Sequence, residues 1–365
     1  MYSYVPNLPE YARSLGADAV ILGIIGGSYG VAQIILRIPI GVISDKTGKN
    51  KLMLLIGSGV LAVSCAILIL ARDTDMIILG RLIAGAAASW WVVLSAAYAD
   101  YHTDEKQVRA QGVLSAFSNG GKVAAALGGG ILAQFLGMNS VFVFALVTAI
   151  LCILLAAQLK DLPKKPQTKS FRDLLPLLRN RDLMVLSAIG IIPQLLCFAA
   201  PTLFTEVAAE DLGATSFQLG MVNMVFFIAT AALSLFVGSR LYKKIGGIKV
   251  MVITFMLSAL SLVPVFYHIN IAMIFVMQVI AGINYGITGS AIAGMVIRSV
   301  APEQRGAAIG IFQSMYGFGI FIGPVLAGGI TKWISFDAAY WTLAAISAVS
   351  GVLCWLLIPK KYADM

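Results

Sequence analysis

Three cationic side chains, Arg37, Arg81 and Lys122, lie within long apolar segments of the sequence. Lys122 is near the middle of its segment, and Asn119, three residues earlier, lies on the same face of a helix. A charge in hydrocarbon is costly, so such a residue normally faces a partner or a water-filled cavity. Arg37 is nearer the end of its segment, where we expect the guanidinium to reach the membrane interface.

The sequence offers these cations no evident partner, because we place no Asp or Glu deep in any apolar segment. Two hypotheses stay open. Either residues preceding Met1 supply a carboxylate, which would suit proton coupling, or Arg81 and Lys122 bind an anionic substrate. Other polar and aromatic residues are candidates to line a cavity, although each could instead join helices: Tyr29, Gln33, Trp90, Asn119, Gln194, Asn223, Asn284, Tyr285, Gln313 and Tyr316.

Composition identifies the elements that must hold these residues. Of the 365 residues, 59% are hydrophobic and only 12% are charged, and the mean hydropathy is +0.90. Residues 271–297 carry no charge at all. About 20 apolar helical residues cross a hydrocarbon layer roughly 30 Å thick. The sequence therefore predicts an all-α membrane protein with many spans.

Apolar runs between breakers predict eleven spans, near 18–43, 51–71, 76–98, 108–136, 140–159, 183–205, 216–238, 249–267, 271–297, 305–331 and 337–358. The connecting loops fall into two alternating sets, with 20 Lys and Arg residues in one and 3 in the other. Positive loops stay in the cytoplasm. We therefore expect a multi-pass protein of the plasma membrane, with Met1 outside and the C-terminus in the cytoplasm.

Other function classes lack support. The net charge of +9 is spread over short loops, so it does not indicate nucleic-acid binding. All four cysteines lie in apolar segments without ligand spacing, and the pair Gly121-Lys122 lacks the rest of a phosphate-binding loop. No nucleophile–base pair is readable within the spans. We expect no cofactor, no metal site and no enzymatic activity.

The chain contains an internal repeat with an offset close to 197 residues. Arg81-Leu-Ile-Ala-Gly85 matches Gln278-Val-Ile-Ala-Gly282, and two further matches have the same offset. Two parallel halves are typical of some secondary transporters. We expect a first bundle over residues 1–159, a basic cytoplasmic linker over 160–182, and a second bundle over 183–365.

The same offset places the counterpart of the span at 183–205 partly before Met1. We therefore expect the chain to begin inside its first helix, as a truncated sequence or one with a late start codon. The alternative is an eleven-span variant whose N-terminal stub lies outside.

The segment Gly41–Lys51, GVISDKTGKNK, resembles the loop motif of the major facilitator superfamily, with Asn50 departing at one basic position. Arg81 and Gly85 resemble that family's arginine motif. Gly319, Gly323 and Pro324 resemble its glycine–proline motif, as a helix-packing device. The resemblance extends over essentially the whole chain and implies twelve spans in two bundles of six, here about eleven complete spans and a partial first one.

The resemblance also implies a conformational latch. Asp45, flanked by Lys46 and Lys49 within the motif that includes Gly41 and Gly48, would accept hydrogen bonds from the start of the span at 305–331, near Gln304–Gly306. Asp100 would pair with Lys49. Such a latch would close one state of an alternating-access cycle and open in the other.

We expect a secondary active transporter for a small solute, acting as a monomer and exporting in exchange for protons. The preference for export rests on the family resemblance. The alternatives are an organic-anion or metabolite carrier that uses Arg81 and Lys122, and a non-transporting membrane sensor of the same fold.

Overall fold

The computed structural model describes residues 1–101, 107–160, 175–233, 244–301 and 304–359. These residues form fifteen α-helices: α1 Leu8–Ser14, α2 Ala19–Thr47, α3 Asn50–Leu70, α4 Thr74–Ala88, α5 Trp91–Asp100, α6 Gln107–Leu136, α7 Met138–Gln158, α8 Leu175–Leu178, α9 Arg181–Ala199, α10 Thr205–Asp211, α11 Ser216–Ile228, α12 Gly247–Ser261, α13 Ile271–Arg298, α14 Arg305–Trp333 and α15 Phe336–Leu357. Short 3-10 turns occupy Val5–Asn7 and Pro264–Tyr267, and wide π-helical turns occupy Ala200–Phe204 and Ala229–Leu233.

Eight helices in the described part of the chain are long and apolar enough to cross a membrane. The expected span at 108–136 is the 30-residue helix α6. Two other expected spans are shorter apolar helices, Ser216–Ala231 and Gly247–Ser261. The span expected at 249–267 was drawn too long, because a 3-10 turn begins at Pro264, whose ring removes a backbone donor.

Local chemistry sets many of the helix boundaries. At the start of six helices the N-cap side chain accepts a hydrogen bond from a backbone N–H of the first turn. These N-cap residues are Asp18, Asp73, Asn180, Thr215, Asn270 and Ser335. Gly48 ends α2 with φ of 62°, a conformation that favours glycine. Gly16 and Gly213, which are 197 residues apart, also share positive φ, of 88° and 80°.

Contacts between helices follow the same repeat. A Cβ added at Gly85 would lie 2.1 Å from the Tyr29 carbonyl oxygen, and one at Gly282 would lie 2.5 Å from the Phe226 carbonyl oxygen. Gly282 lies 197 residues after Gly85, and Phe226 lies 197 residues after Tyr29. Helices α2 and α4 therefore pack in the first half as α11 and α13 pack in the second.

Glycines also let the two halves approach each other. A Cβ at Gly23 of α2 would lie 2.5 Å from the carbonyl oxygen of Pro324 on α14. Gly130 of α6 and Gly220 of α11 make the equivalent contact, since a Cβ at Gly220 would lie 3.0 Å from the Cα of Gly130. These contacts bury small-residue faces, which let the helix backbones approach closely.

Two residues of the glycine–proline motif pack α14 against α9. A Cβ at Gly319 would lie 2.1 Å from the carbonyl oxygen of Ile191, and one at Gly323 would lie 2.3 Å from that of Leu195. The neighbouring Pro324 contacts Gly26 of α2. This short stretch of α14 therefore joins both halves.

Gly319→Ala tests this close packing. The added methyl group meets backbone atoms that cannot rotate away, so we expect a loss of about 1–3 kcal/mol in the free energy of unfolding, typical of overpacking. Thermal unfolding of the purified protein in lipid or detergent measures the loss.

Gly310→Ala is the matched control on the same helix, because a Cβ there meets no described atom within 4 Å. It should be neutral or slightly stabilising. Equal unfolding temperatures for the two variants would contradict the packing assigned to Gly319.

Candidate functional site

A cavity of about 450 Å³ lies between the two halves. Eight of the residues selected from the sequence line it: Tyr29, Gln33, Trp90, Asn119, Lys122, Gln194, Tyr285 and Tyr316. Arg37 and further aromatic residues, including Tyr2, Trp91 and Phe198, complete much of the wall. No Asp or Glu of the described residues lines it. The cavity is therefore aromatic and cationic.

A smaller cavity of about 90 Å³ adjoins the first and shares Asn119, Lys122 and Tyr285 with it. Arg81 lines this smaller cavity and not the larger one. The Arg81 guanidinium lies over the Tyr29 ring, 4.7 Å from its centroid, and its Nε has no hydrogen-bond partner among the described residues. A cation–π contact partly replaces the hydration that burial removes.

The expectation that the Arg37 side chain reaches the membrane interface is wrong, because Arg37 is only 6% exposed. Its guanidinium donates to Gln33 Oε1 and to the Tyr316 hydroxyl, both at 2.5 Å, and to the Gln313 carbonyl at 3.3 Å. Gln33 is one turn away on α2, whereas Tyr316 and Gln313 belong to α14 of the other half. Acceptors on the opposite bundle let Arg37 stay inside and link the halves.

Lys122 has no hydrogen-bond or ion-pair partner within the described residues. Its ammonium lies 5.1 Å from the centroid of the Tyr2 ring and 5.7 Å from that of Phe227. The aromatic faces supply the only described compensation for its charge. Lys122 is thus the cavity cation that is most free to meet a ligand.

Glu206 is a membrane-embedded acid that the sequence analysis missed. It is 1% exposed and accepts a hydrogen bond from Asn223 Nδ2, while the Arg81 charge acts on it electrostatically. The expected span ended at residue 205, but the helical segment continues through the π turn to Asp211 as one span of 31 residues. The apolar run Val207–Ala209 after Glu206 was the available signal.

Three predicted lining residues lie elsewhere. Asn223 is bound to Glu206 and lines none of the described cavities. Asn284 lines a third, very small cavity beside Tyr285. Gln313 accepts hydrogen bonds from Arg37 at the edge of the large cavity. Asn223 and Asn284 lie among residues of the second bundle, and Gln313 contacts Arg37 of α2.

The latch residues lie at the end of the molecule where α2 stops, here called the Gly48 end. Gly41 faces Val92 of α5, and Gly48 caps α2. Lys46 and Lys49 are exposed. Asp45 is half-buried and has a partner, and the side chain of Asp100 lies outside the described residues. The latch stays a prediction.

The opposite end, where α2 begins, is called the Asp18 end, and ion pairs join the two halves there. Arg13 Nη1 lies 2.8 Å from Asp211 Oδ1 and 3.4 Å from Glu210 Oε2. Lys332 at the end of α14 donates to Asp18. The Lys332 hydrogen bond lowers the pKa of the Asp18 carboxyl below its ordinary value, and the Ile21 N–H acts in the same direction.

Among the described residues, close contacts between the halves are fewer toward the Gly48 end. A Cβ at Gly306 or Gly310 of α14 would meet no described atom within 4 Å, whereas one at Gly317 or Gly328, further along α14, would meet α2 of the other half. The large cavity also extends toward this end, where Leu54, Leu94 and Ser115 contribute to its wall. The described structure is therefore closed at the Asp18 end.

Two helical bundles around a central cavity, closed at one end, are the arrangement found in many secondary transporters of the membrane. The family model of the Major Facilitator Superfamily matches residues 1–208 and again 188–364. The chain belongs to the Major Facilitator Superfamily and is one of its multi-pass membrane transporters, not an enzyme.

Individual relatives agree with this family. The chain is 24% identical to the quinolone resistance protein NorA of Staphylococcus aureus over 98% of this chain and 92% of that protein. It is also 24% identical to MJ1560, an uncharacterized MFS-type transporter of Methanocaldococcus jannaschii, over 97% and 93% of the two chains.

Solved structures show the same fold. The nucleoside transporter NupG aligns with a TM-score of 0.80 at 16% identity, covering 98% of this chain and 96% of NupG. The human organic anion transporter MFSD10 aligns with a TM-score of 0.67 at 17% identity, covering 96% and 89%. The all-α fold with two bundles is thereby confirmed.

Lys332→Gln tests the ion pair at the Asp18 end. The carboxyl of Asp18 holds its charge, and therefore the pair, only above its lowered pKa. We expect Lys332→Gln at neutral pH, and the wild type at a pH below that pKa, to populate longer distances between the halves at this end. Double electron–electron resonance between labels at Arg72→Cys and Ile269→Cys, in a Cys152→Ser background, measures them.

Lys332→Arg keeps the charge and should keep the wild-type distances. The Asp18 N-cap of α2 is intact in both Lys332 variants, so helix capping is controlled. Identical distance distributions for Lys332→Gln and Lys332→Arg at every pH would contradict a holding role for this pair.

Proposed function

We propose that this chain is a proton-coupled exporter of a small solute, working by alternating access as a monomer. The observation that carries the proposal is Glu206, a carboxyl that is 1% exposed within the second bundle and hydrogen-bonded to Asn223. A carboxyl group that gains or loses a proton inside the membrane changes the local charge by a full unit. That change is large enough to favour one arrangement of the bundles over the other.

The direction of transport is inferred from the relatives. NorA is named for quinolone resistance, and export in exchange for protons is the corresponding hypothesis for this chain. The loop charges support a plasma-membrane orientation with the Gly48 end and the C-terminus in the cytoplasm. In that orientation the closed Asp18 end faces the outside, and an exporter would load its substrate from the Gly48 end.

The cytoplasmic latch fits this proposal. In this proposal Asp45 and the start of α14 form the latch at the cytoplasmic end of the molecule when the bundles are closed there. Residues 1–159 and 183–365 would then move as two bodies, with 160–182 as the tether between them. The motif around Gly41–Lys49 would stabilise the state that is open to the outside.

A second candidate is an organic-anion or metabolite carrier, which the cavity lining favours. Arg37 and Lys122 line the large cavity, Arg81 lines its smaller neighbour, and no described acid lines either. The two candidates differ in the sign of their proton linkage. Binding of an anion favours a protonated Glu206, whereas a cationic or competing substrate favours loss of that proton.

Glu206→Gln tests proton coupling. The variant keeps the size of the side chain but cannot exchange a proton. In proteoliposomes with an imposed pH gradient, we expect the wild type to accumulate a fluorescent quinolone against its concentration gradient and the variant to fall to background. With equal pH on both sides, the variant should still exchange labelled for unlabelled quinolone.

Glu210→Gln is the matched control, because Glu210 is one turn away at the Asp18 end and is paired with Arg13. It should keep gradient-driven transport. Uphill transport by Glu206→Gln would contradict proton coupling through Glu206. Uptake of 2-naphthoate together with protons, without quinolone transport, would select the anion carrier instead.

A further inference from the structure

Two buried acceptor atoms, one on each side chain of the hydrogen-bonded pair Glu206 and Asn223, have no donor. Asn223 Nδ2 donates to Glu206 Oε1, but the second carboxyl oxygen, Glu206 Oε2, has no hydrogen-bond partner, and neither has Asn223 Oδ1. Both side chains are essentially inaccessible, with 1% and 0% exposure. Buried polar atoms are rarely left unpaired, so this arrangement requires an explanation.

One proton on Glu206 Oε2 can satisfy both atoms. A protonated carboxyl has one O–H donor and one carbonyl acceptor, and a carboxamide has N–H donors and one carbonyl acceptor. The O–H can therefore donate to Asn223 Oδ1 while Asn223 Nδ2 donates to Glu206 Oε1. The result is a closed ring of two hydrogen bonds.

We propose that Asn223 is the positioning residue for the proton: it holds the neutral form of Glu206 in a cyclic acid–amide pair in the state described here. The pairing follows from the two side chains. Its meaning for transport rests on the proposed proton coupling. When the proton leaves, the ring loses one hydrogen bond and two acceptor oxygens are left facing each other in the bundle interior.

No neighbouring charged or titratable group among the described residues is hydrogen-bonded to the Glu206 carboxyl, so Asn223 is its described partner. Arg81 of α4 acts on Glu206 through its field, and no described hydrogen bond joins the two. Arg13 of α1 is held by Glu210 and Asp211. The Tyr340 hydroxyl of α15 bonds to Thr205 at 3.0 Å, and the Tyr267 ring packs on the Tyr340 ring.

Wide helical turns place the pair. The π turn Ala200–Phe204 immediately precedes α10, and an inserted residue rotates the next part of the helix by roughly 100° relative to a regular helix. Gln278 Nε2 donates to the Pro201 carbonyl at 2.8 Å, which satisfies an acceptor within the wide turn. A second π turn, Ala229–Leu233, comes directly after α11, which carries Asn223. Both partners thus lie on helices that adjoin a wide turn.

Infrared difference spectroscopy of the protein in lipid vesicles tests the pair without any substrate. Glu206→Gln identifies the carbonyl stretch of the protonated Glu206 carboxyl as the band that this variant lacks. In Asn223→Leu we expect that band to move to higher wavenumber, because the acid loses both hydrogen bonds to the amide.

Asn284→Leu is the control, since Asn284 is also a buried amide in the second half, with an unpartnered Nδ2. It should leave the Glu206 band in place. A band that does not move in Asn223→Leu, or the absence of any Glu206 carboxylic acid band, would overturn the pair.

Stability gives a second measurement in case Asn223→Leu does not fold. A Gln side chain at 206 offers an N–H where the acid offers its O–H, so Glu206→Gln should unfold at nearly the wild-type temperature. Glu206→Leu leaves the Asn223 amide unpaired and should unfold at a clearly lower temperature. Equal loss in both variants would overturn the pair.

These outcomes separate the pair from the proposed function. An unmoved band together with loss of uphill transport in Glu206→Gln would reject the acid–amide pair and keep proton coupling. A moved band in a protein that transports without protons would do the reverse.

Discussion

The cost of holding a charge inside hydrocarbon governs this structure. Arg37 finds acceptors on the opposite bundle, Arg81 and Lys122 lie against aromatic rings, and Glu206, in the neutral form proposed above, binds an amide. None of these arrangements is a direct ion pair between embedded groups of opposite charge among the described residues. The charges are therefore compensated incompletely, and a proton or a ligand can change the balance between conformations.

The internal repeat determines how the helices pack, whereas the functional residues lie at positions where the two halves differ. Glycine contacts recur at the same offset in both halves. The functional groups do not recur: Glu206 and Asn223 correspond to Pro9 and Gly26, and Arg81 corresponds to Gln278. The first half thus carries the embedded cations and the second half the embedded acid. Relative motion of the halves then changes the field that each group feels.

The fold could be predicted from the sequence because hydropathy, loop charge and repeat are properties of whole segments. The cavity residues were predicted in large part, since polar and aromatic side chains in apolar helices have few other roles. Arg37 was placed wrongly because its partners, Tyr316 and Gln313, are more than 270 residues away in sequence. Glu206 was missed because a π turn extends its helix beyond the apparent end of the apolar run.

The central claim is that a proton enters and leaves the membrane interior at Glu206. A pH jump applied to proteoliposomes adsorbed on a solid-supported membrane measures this directly, as a transient current without any substrate. The account predicts a transient in the wild type that is lost in Glu206→Gln and retained in Glu210→Gln. A transient of equal size in Glu206→Gln would show that the proton is carried elsewhere and would contradict the account.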